Sequence, residues 1–171
     1  MELKLVKVNI NLKEEYYDFI REWKKTNEKI VPMAVDLKDM DYSQWLNNTL
    51  KFENKETCPK GLVTAKTYFL INEENRIIGA INIRCELNDY LLNYGGHIGY
   101  GIRPSERRKG YAKEMLKLGL EKAKELNLRK VLITCDKDNI GSAKTIISNG
   151  GILENEVKTE DGITQRYWID L

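Results

Sequence analysis

The sequence predicts one domain of mixed α/β class, with seven strands in a largely antiparallel arrangement, one parallel β–α–β crossover and about four helices. Three observations predict it. The 171 residues suit a single domain, 1–171, which can bury about 70% of its unfolded surface without a disulfide or metal staple. Apolar residues recur with a period of two in some segments and of 3.6 in others. The stretch from residue 97 to residue 135 reads as strand, long helix, strand, which closes as a right-handed crossover.

The elements follow in order. Residues 3–8, LKLVKV, alternate and read as a strand with one buried face. Asn11 with Glu14 resembles a capping box, and Tyr16, Phe19, Ile20 and Trp23 then form one apolar stripe of a helix. Residues 28–40 contain Pro32 and no period, so they read as a loop. Asp41 caps a second helix with Trp45, Leu46, Thr49 and Leu50 on its inner face. Residues 67–72 and 77–84 form a hairpin, 88–96 a longer loop and 97–103 another strand. Residues 110–126 form a strong helix, with Ala112, Met115, Leu116, Gly119, Ala123 and Leu126 on one side. The apolar run 131–135 suits a strand buried on both faces. Asn139 caps a last helix that buries Ala143, Ile146 and Ile147 and stops at Gly150–Gly151. Strands at 152–157 and 163–169 flank Asp161-Gly162, a hairpin signal.

Composition narrows the function. Hydrophobic residues are 42% and charged residues 32%, a globular balance rather than a disordered one. A net charge of +2 gives no field to draw the chain onto nucleic acid or an acidic membrane. No apolar run approaches the roughly 20 residues that span a bilayer. The alternating N-terminus is not that of a signal peptide, so the expected location is the cytoplasm. Cys58, Cys85 and Cys135 are odd in number and lack metal-ligand spacing, so they read as free thiols, and no metal is expected.

The chemistry concentrates in His97-Ile98-Gly99-Tyr100-Gly101-Ile102-Arg103-Pro104-Ser105-Glu106-Arg107-Arg108-Lys109-Gly110-Tyr111-Ala112. A strand ends at Pro104, a basic turn follows and a helix begins near Gly110. The first amides of a helix lack internal partners and sit at the positive end of its dipole, which makes an anion site. Gly110 permits close backbone approach, and Arg side chains bind phosphate oxygens in pairs. A P-loop string is absent, and a dinucleotide fingerprint starting at Gly99 would need glycine where Pro104 stands. What remains is Arg107-x-x-Gly110-x-Ala112.

This hexad resembles the pyrophosphate loop of the GNAT (Gcn5-related N-acetyltransferase) superfamily, Arg/Gln-x-x-Gly-x-Gly/Ala. The strand reading Gly-Gly-His-Ile-Gly-Tyr is similar to a bacterial branch of predicted acetyltransferases. The resemblance implies the acyl-CoA N-acyltransferase fold, with the parallel pair at the centre of the sheet, and acetyl-CoA as co-substrate. Backbone amides from Arg108, Lys109, Gly110, Tyr111 and Ala112, with the Arg107 side chain, would hold the pyrophosphate. Tyr100, Gly101 and Ile102 would pair with the pantetheine arm as a further strand does. Asn139, with Ser142 nearby, would bond to the arm; Asn139 reads equally as a plain N-cap.

Transfer to an amine needs a base, because an unperturbed lysine-like amine has a pKa of about 10.4. The resemblance puts His97 where many members carry a glutamate. His97 reads equally as a structural histidine at a strand start, and Glu86 is the alternative base. The tyrosine that often protonates the leaving thiolate would fall at position 146, which is Ile146; Tyr100 and Tyr111 are nearby substitutes. On the acceptor side, Asp36, Asp39, Asp41, Glu154, Glu156, Glu160 and Asp161 would favour a cationic amine, whereas Trp23, Tyr42 and Trp45 suit the core. The expected activity is therefore acetyl-CoA-dependent N-acetylation (EC 2.3.1.-) of a small-molecule or protein amine by direct transfer. The alternative is a non-catalytic coenzyme A-binding or sensing domain, and a basic-patch nucleic-acid binder is a weaker rival. Neither a nucleic acid nor a membrane is an expected partner; a homodimer is compatible with folds of this kind.

Overall fold

The computed structural model describes residues 2–171. Seven strands and four helices stand at the expected places. They are β1 (Lys4–Lys7), α1 (Lys13–Thr26), α2 (Tyr42–Lys51), β2 (Ala65–Ile71), β3 (Ile77–Arg84), β4 (Ile98–Ile102), α3 (Tyr111–Glu125), β5 (Lys130–Asp136), α4 (Ile140–Ser148), β6 (Ile152–Thr159) and β7 (Gly162–Asp170). Short 3-10 turns at Ile10–Leu12, Met33–Val35 and Pro104–Glu106 and one wide helical turn at Leu91–Gly95 punctuate the loops.

The strands divide into two antiparallel sheets, β1-β2-β3-β4 and β5-β7-β6. The crossover neighbours β4 and β5 run in the same direction but share no ladder. They are stitched at one point, where the His97 amide donates to Leu132 O at 2.7 Å and the Leu132 amide donates to His97 Nδ1 at 2.9 Å. Beyond that stitch the strands fork, so the seven strands flank a cleft instead of closing one continuous sheet.

Alternation along the strands explains the layers. On one face, Leu70, Ile78, Ile81 and Ile83 meet Met115, Leu116, Leu120 and Ala123 of α3, joined by Val131, Ile133, Tyr167 and Ile169. On the other, Phe69, Ile71, Ile77 and Ala80 meet Tyr16, Phe19, Ile20 and Trp23 of α1 and Tyr42, Trp45 and Leu46 of α2. Each of these side chains removes a large apolar area from water, at about 25 cal/mol per Å².

Three local expectations change. Asn9, not Asn11, opens the first helical segment: its side chain accepts from the Asn11 amide and caps the 3-10 turn, and α1 continues with no side-chain cap of its own. At α2 the capping box is present, with Asp41 accepting from Gln44 N at 2.9 Å and Gln44 accepting from Asp41 N at 3.0 Å. Leu50 and Ile147, expected inside, are exposed; each sits in the last turn of its helix, off the face that meets a sheet.

The loop between α1 and α2 is seated on β4. A Cβ at Gly101 would meet the Val31 carbonyl and the Trp23 ring, and one at Gly99 would touch Pro32 at 3.4 Å. The two glycines leave one face of β4 bare so that the Val31–Pro32 backbone can lie against it.

Candidate active site

Two cavities open along the fork. The larger, about 800 Å³, runs from the turn after β4 to the start of α4, past Trp23, Tyr100, Arg107, Gly110 and Asn139. The smaller, about 510 Å³, lies at the start of β4 and is walled by Val31, Pro32, Arg84, Gly99 and Thr134. Lys29, Val31, Tyr100, Asn139 and Ser142 line both, so the two form one bent cleft that turns around the Tyr100 side chain.

The structure brings most of the sequence-predicted binding residues to the larger cavity. Tyr100, Gly101, Ile102, Arg107, Arg108, Gly110, Tyr111, Ala112, Asn139 and Ser142 all line it. Lys109 does not; its ammonium is 2.9 Å from Glu106 on the outside of the turn. The turn is shaped by left-handed backbone at Arg108 (φ 65°) and Gly110 (φ 84°). The amides of Arg108, Lys109, Gly110 and Ala112 have no acceptor among the described residues. They precede or begin α3, where the helix dipole adds to them.

The four cations close together in the sequence here, Arg103, Arg107, Arg108 and Lys109, do not act as one group. Arg103 is fully buried and faces α1, where its guanidinium meets Glu15 and Glu22, each at 2.7 Å, and Asp18. It anchors the turn and cannot reach an anion in the cleft. Burial alone would raise the Glu22 pKa; hydrogen bonds from the Ser105 and Arg103 side chains outweigh it and bring Glu22 down to about 2. Arg107 lies over the Trp23 ring and makes a two-pronged pair with Glu28, at 2.9 and 2.8 Å. Its hydrogen bonds hold the Glu28 carboxyl below the usual range. The exposed Arg108 side chain has no partner among the described residues.

At the bend, the Tyr100 hydroxyl stands 3.0 Å from Ser142 Oγ. Burial pushes the phenol up to about 12, against the lowering effect of Ser142, so it stays protonated at neutral pH. Asn139 is the N-cap of α4: its side-chain oxygen accepts from the Ser142 amide at 3.0 Å, which leaves the side-chain NH₂ directed to no acceptor among the described residues. Ile146 is fully buried in the apolar cluster under α3 and has no access to the cleft. Cys135 lines the smaller cavity, and burial raises its thiol to about 11, which keeps it unreactive.

Neither expected base is well set for that work. His97 is 6% exposed, and its Nδ1 is occupied by the Leu132 amide. Burial first, and the Arg84 charge second, lower its pKa to about 4. Glu86 is exposed beyond the end of β3 and lines neither cavity. The acids that do line the smaller cavity are Asp36, from the α1–α2 loop, and Asp136, at the end of β5. Asp41, Glu154 and Glu156 are engaged elsewhere, with Gln44, with Arg166 and Trp168, and with Lys137 and Gln165. Asp136 and Arg84 were missed as site residues. Asp136 ends β5, one prong of the fork, and Arg84 ends β3, beside His97 at the root of the other prong; the open ends of such strands are where a split sheet admits a ligand.

A family model described as an acetyltransferase (GNAT) domain matches residues 3–152. No curated protein sequence matches the chain. Among solved structures, the ribosomal-protein-S5-alanine acetyltransferase of Vibrio fischeri is 16% identical, with 99% of this chain and 93% of that one covered and a TM-score of 0.72. The microcin C7 self-immunity acetyltransferase, solved with acetyl-CoA and AMP, is 17% identical, with 99% and 93% covered and a TM-score of 0.70. A mutant spermidine/spermine N-acetyltransferase of Vibrio cholerae is 16% identical, with 98% and 93% covered and a TM-score of 0.67. At these identities the likeness is one of fold.

Proposed function

This chain belongs to the GNAT acetyltransferase family, and on that premise we propose that it is a cytoplasmic enzyme that transfers an acetyl group from acetyl-CoA directly to a primary amine. The observation that carries the reading is the bent cleft, with a turn of free amides at one end, two carboxylates at the other and the Tyr100 hydroxyl between them.

The residues fit the co-substrate. The amides of Arg108, Lys109, Gly110 and Ala112 are donors without acceptors, Arg108 is an unpaired cation, and Asn139 has a free NH₂. These groups would hold the pyrophosphate and the arm. Bound acetyl-CoA supplies an activated thioester. Asp136, with Asp36 across the cavity, attracts the ammonium form of an acceptor and takes its proton, directly or through water. Tyr100, protonated and held by Ser142 at the bend of the cleft, can donate to the leaving thiolate. His97 is a positioning residue: it ties β4 to β5 at the root of the fork. Holding two reactants in line contributes further, up to about 7–11 kcal/mol.

The buried Ile146 favours a second reading, a coenzyme A sensor without turnover. One experiment separates them. Coenzyme A at 100 times its dissociation constant should stabilise the fold by about 2.7 kcal/mol in either case. Thiol release from acetyl-CoA across an amine panel should occur only for the enzyme. Stabilisation with no thiol release beyond buffer hydrolysis would leave the sensor; no stabilisation would sink both.

A further inference from the structure

Arg84 occupies an unusual place on the wall of the smaller cavity. It ends β3, and one guanidinium nitrogen, Nη1, donates to Gly95 O and Gly96 O, both at 3.1 Å. The other terminal nitrogen, Nη2, and Nε have no acceptor among the described residues, and no carboxylate stands within ion-pair distance. The charge is nonetheless withdrawn from water: burial lowers the pKa of this guanidinium, an effect only partly offset by Tyr90. The other half-buried and buried arginines are compensated: Arg103 by three acids of α1, Arg166 by Glu154 and the Leu92 carbonyl, Arg76 by Asp18, Glu22 and Glu106, and Arg107 by Glu28. A partly desolvated charge without a counter-ion is costly, and the fork of a free guanidinium edge matches a carboxylate. Gly99 keeps the space beside it open: a Cβ there would come within 3.7 Å of Arg84 Nη2. Asp36, Asp136 and the exposed Lys29 also line the cavity. The cavity therefore carries both signs, with the Arg84 guanidinium at the root of the fork and the two carboxylates elsewhere on its wall.

We propose that Arg84 is the carboxylate anchor of the acceptor site and that the acceptor is a zwitterionic amine, one that carries a carboxylate beside the amine to be acetylated. The inference rests on the acetyltransferase reading above and goes beyond it by naming the acceptor class. A polyamine, which has no anionic group, would leave Arg84 uncompensated.

The test compares matched acceptors: L-leucine with isopentylamine and leucinamide, and L-phenylalanine with 2-phenylethylamine and phenylalaninamide. The amide and the decarboxylated amine bracket the acid's amine in basicity. Thiol release from acetyl-CoA is measured for wild-type protein and for Arg84→Gln and Arg84→Lys. Thermal stabilisation by the same compounds is measured in the presence of coenzyme A, which needs no turnover. The expected result is a kcat/KM about 10- to 100-fold higher for the carboxylate-bearing member, carried mainly in KM. That preference should shrink towards parity in Arg84→Gln, the carboxylate-bearing member losing far more than the decarboxylated amine, and return in part with Arg84→Lys. The wild-type comparison stands even if Arg84→Gln does not fold. Equal use of all three members, or an Arg84→Gln loss shared by all three, overturns the proposal and leaves the acetyltransferase reading intact. Arg84-dependent stabilisation by the amino acids without thiol release keeps the anchor and overturns the enzyme. No response to any carboxylate-bearing compound in either measurement overturns the anchor.

Discussion

Arg107 grips Glu28 with both terminal nitrogens, at 2.9 and 2.8 Å, while its guanidinium lies over Trp23. This pair joins the turn that precedes α3 to the first residues of the loop that walls the acceptor side. The arginine best placed by its motif to meet a pyrophosphate is therefore already held by a carboxylate, and a bound anion has to compete for it.

Replacing Glu28 tests that competition. The pair is open to water, with side chains 34% and 48% exposed, so its net worth is about 1 kcal/mol or less. Glu28→Gln is expected to tighten coenzyme A binding by up to about fivefold. Arg107→Gln is expected to weaken it by about 10- to 100-fold. Calorimetric titration reads both, and unchanged affinity in both variants would remove Arg107 from the anion site.

Stability should be sensitive to Arg103, a fully buried charge. Its side chain is 1% exposed among three acids, so Arg103→Met leaves Glu15, Asp18 and Glu22 crowded without a counter-ion, at a cost of about 3–5 kcal/mol in urea unfolding. The acid side follows from Glu22. Its pKa falls from 4.5 to about 2 on folding, so its stabilisation is complete above pH 4.5 and is lost as pH falls towards 2. Glu22→Gln should flatten the stability profile in that window.

His97 is expected to stay neutral through the working range. Because folding lowers its pKa from 6.5 to about 4, its contribution is complete above pH 6.5 and is lost as pH falls towards 4. Imidazole resonances should be flat between those limits on the native side. His97→Asn, whose side-chain oxygen can accept from the Leu132 amide, should keep the pH profile of kcat. Loss of a limb near pH 6.5 in that variant would restore His97 as the base.

Tyr100 and Ile146 divide the question of the proton donor. Tyr100→Phe removes the hydroxyl beside Ser142 and should lower kcat by about 100-fold, the low end for a positioned acid, with little change in coenzyme A affinity. Ile146→Tyr should not compensate. That position faces the core, so the added ring overpacks it and costs about 1–3 kcal/mol. A Tyr100→Phe enzyme of full rate would mean that the thiolate leaves unprotonated.

Gly101→Ala should act on both arms of the cleft. The new methyl meets the Val31 carbonyl, so the loop must lift from β4, at about 1–3 kcal/mol, and Val31 lines both cavities. Steady-state kinetics should show the acetyl-CoA and acceptor KM values rising together; unchanged values would mean that the loop absorbs the methyl in place.

The elements were legible because each carries its own period. Tyr16, Phe19, Ile20 and Trp23 are all buried, as their spacing demands, and Asp161-Gly162 turns the last hairpin. The unpaired amides before α3 were legible because amides at a helix start follow from chain direction alone. The fate of Arg103 was not read, because a charged residue close to three other cations looks like surface. A signal existed, since Glu15, Asp18 and Glu22 lie three and four residues apart and must share one face of α1. Asp136 and Arg84 reach the cavity wall because of where β4 and β5 part, which depends on strand pairing that no local pattern encodes.

The stitch between His97 and Leu132 also has a mechanical meaning. The sheet β5-β7-β6 is complete within itself, and past the stitch the side of β5 that faces β4 has no backbone partner. A ligand seated in the fork would splice the two sheets across that gap as a rung joins two rails. Amide hydrogens along both strands would then exchange more slowly, and the C-terminal half would resist proteolysis, well before any turnover occurs.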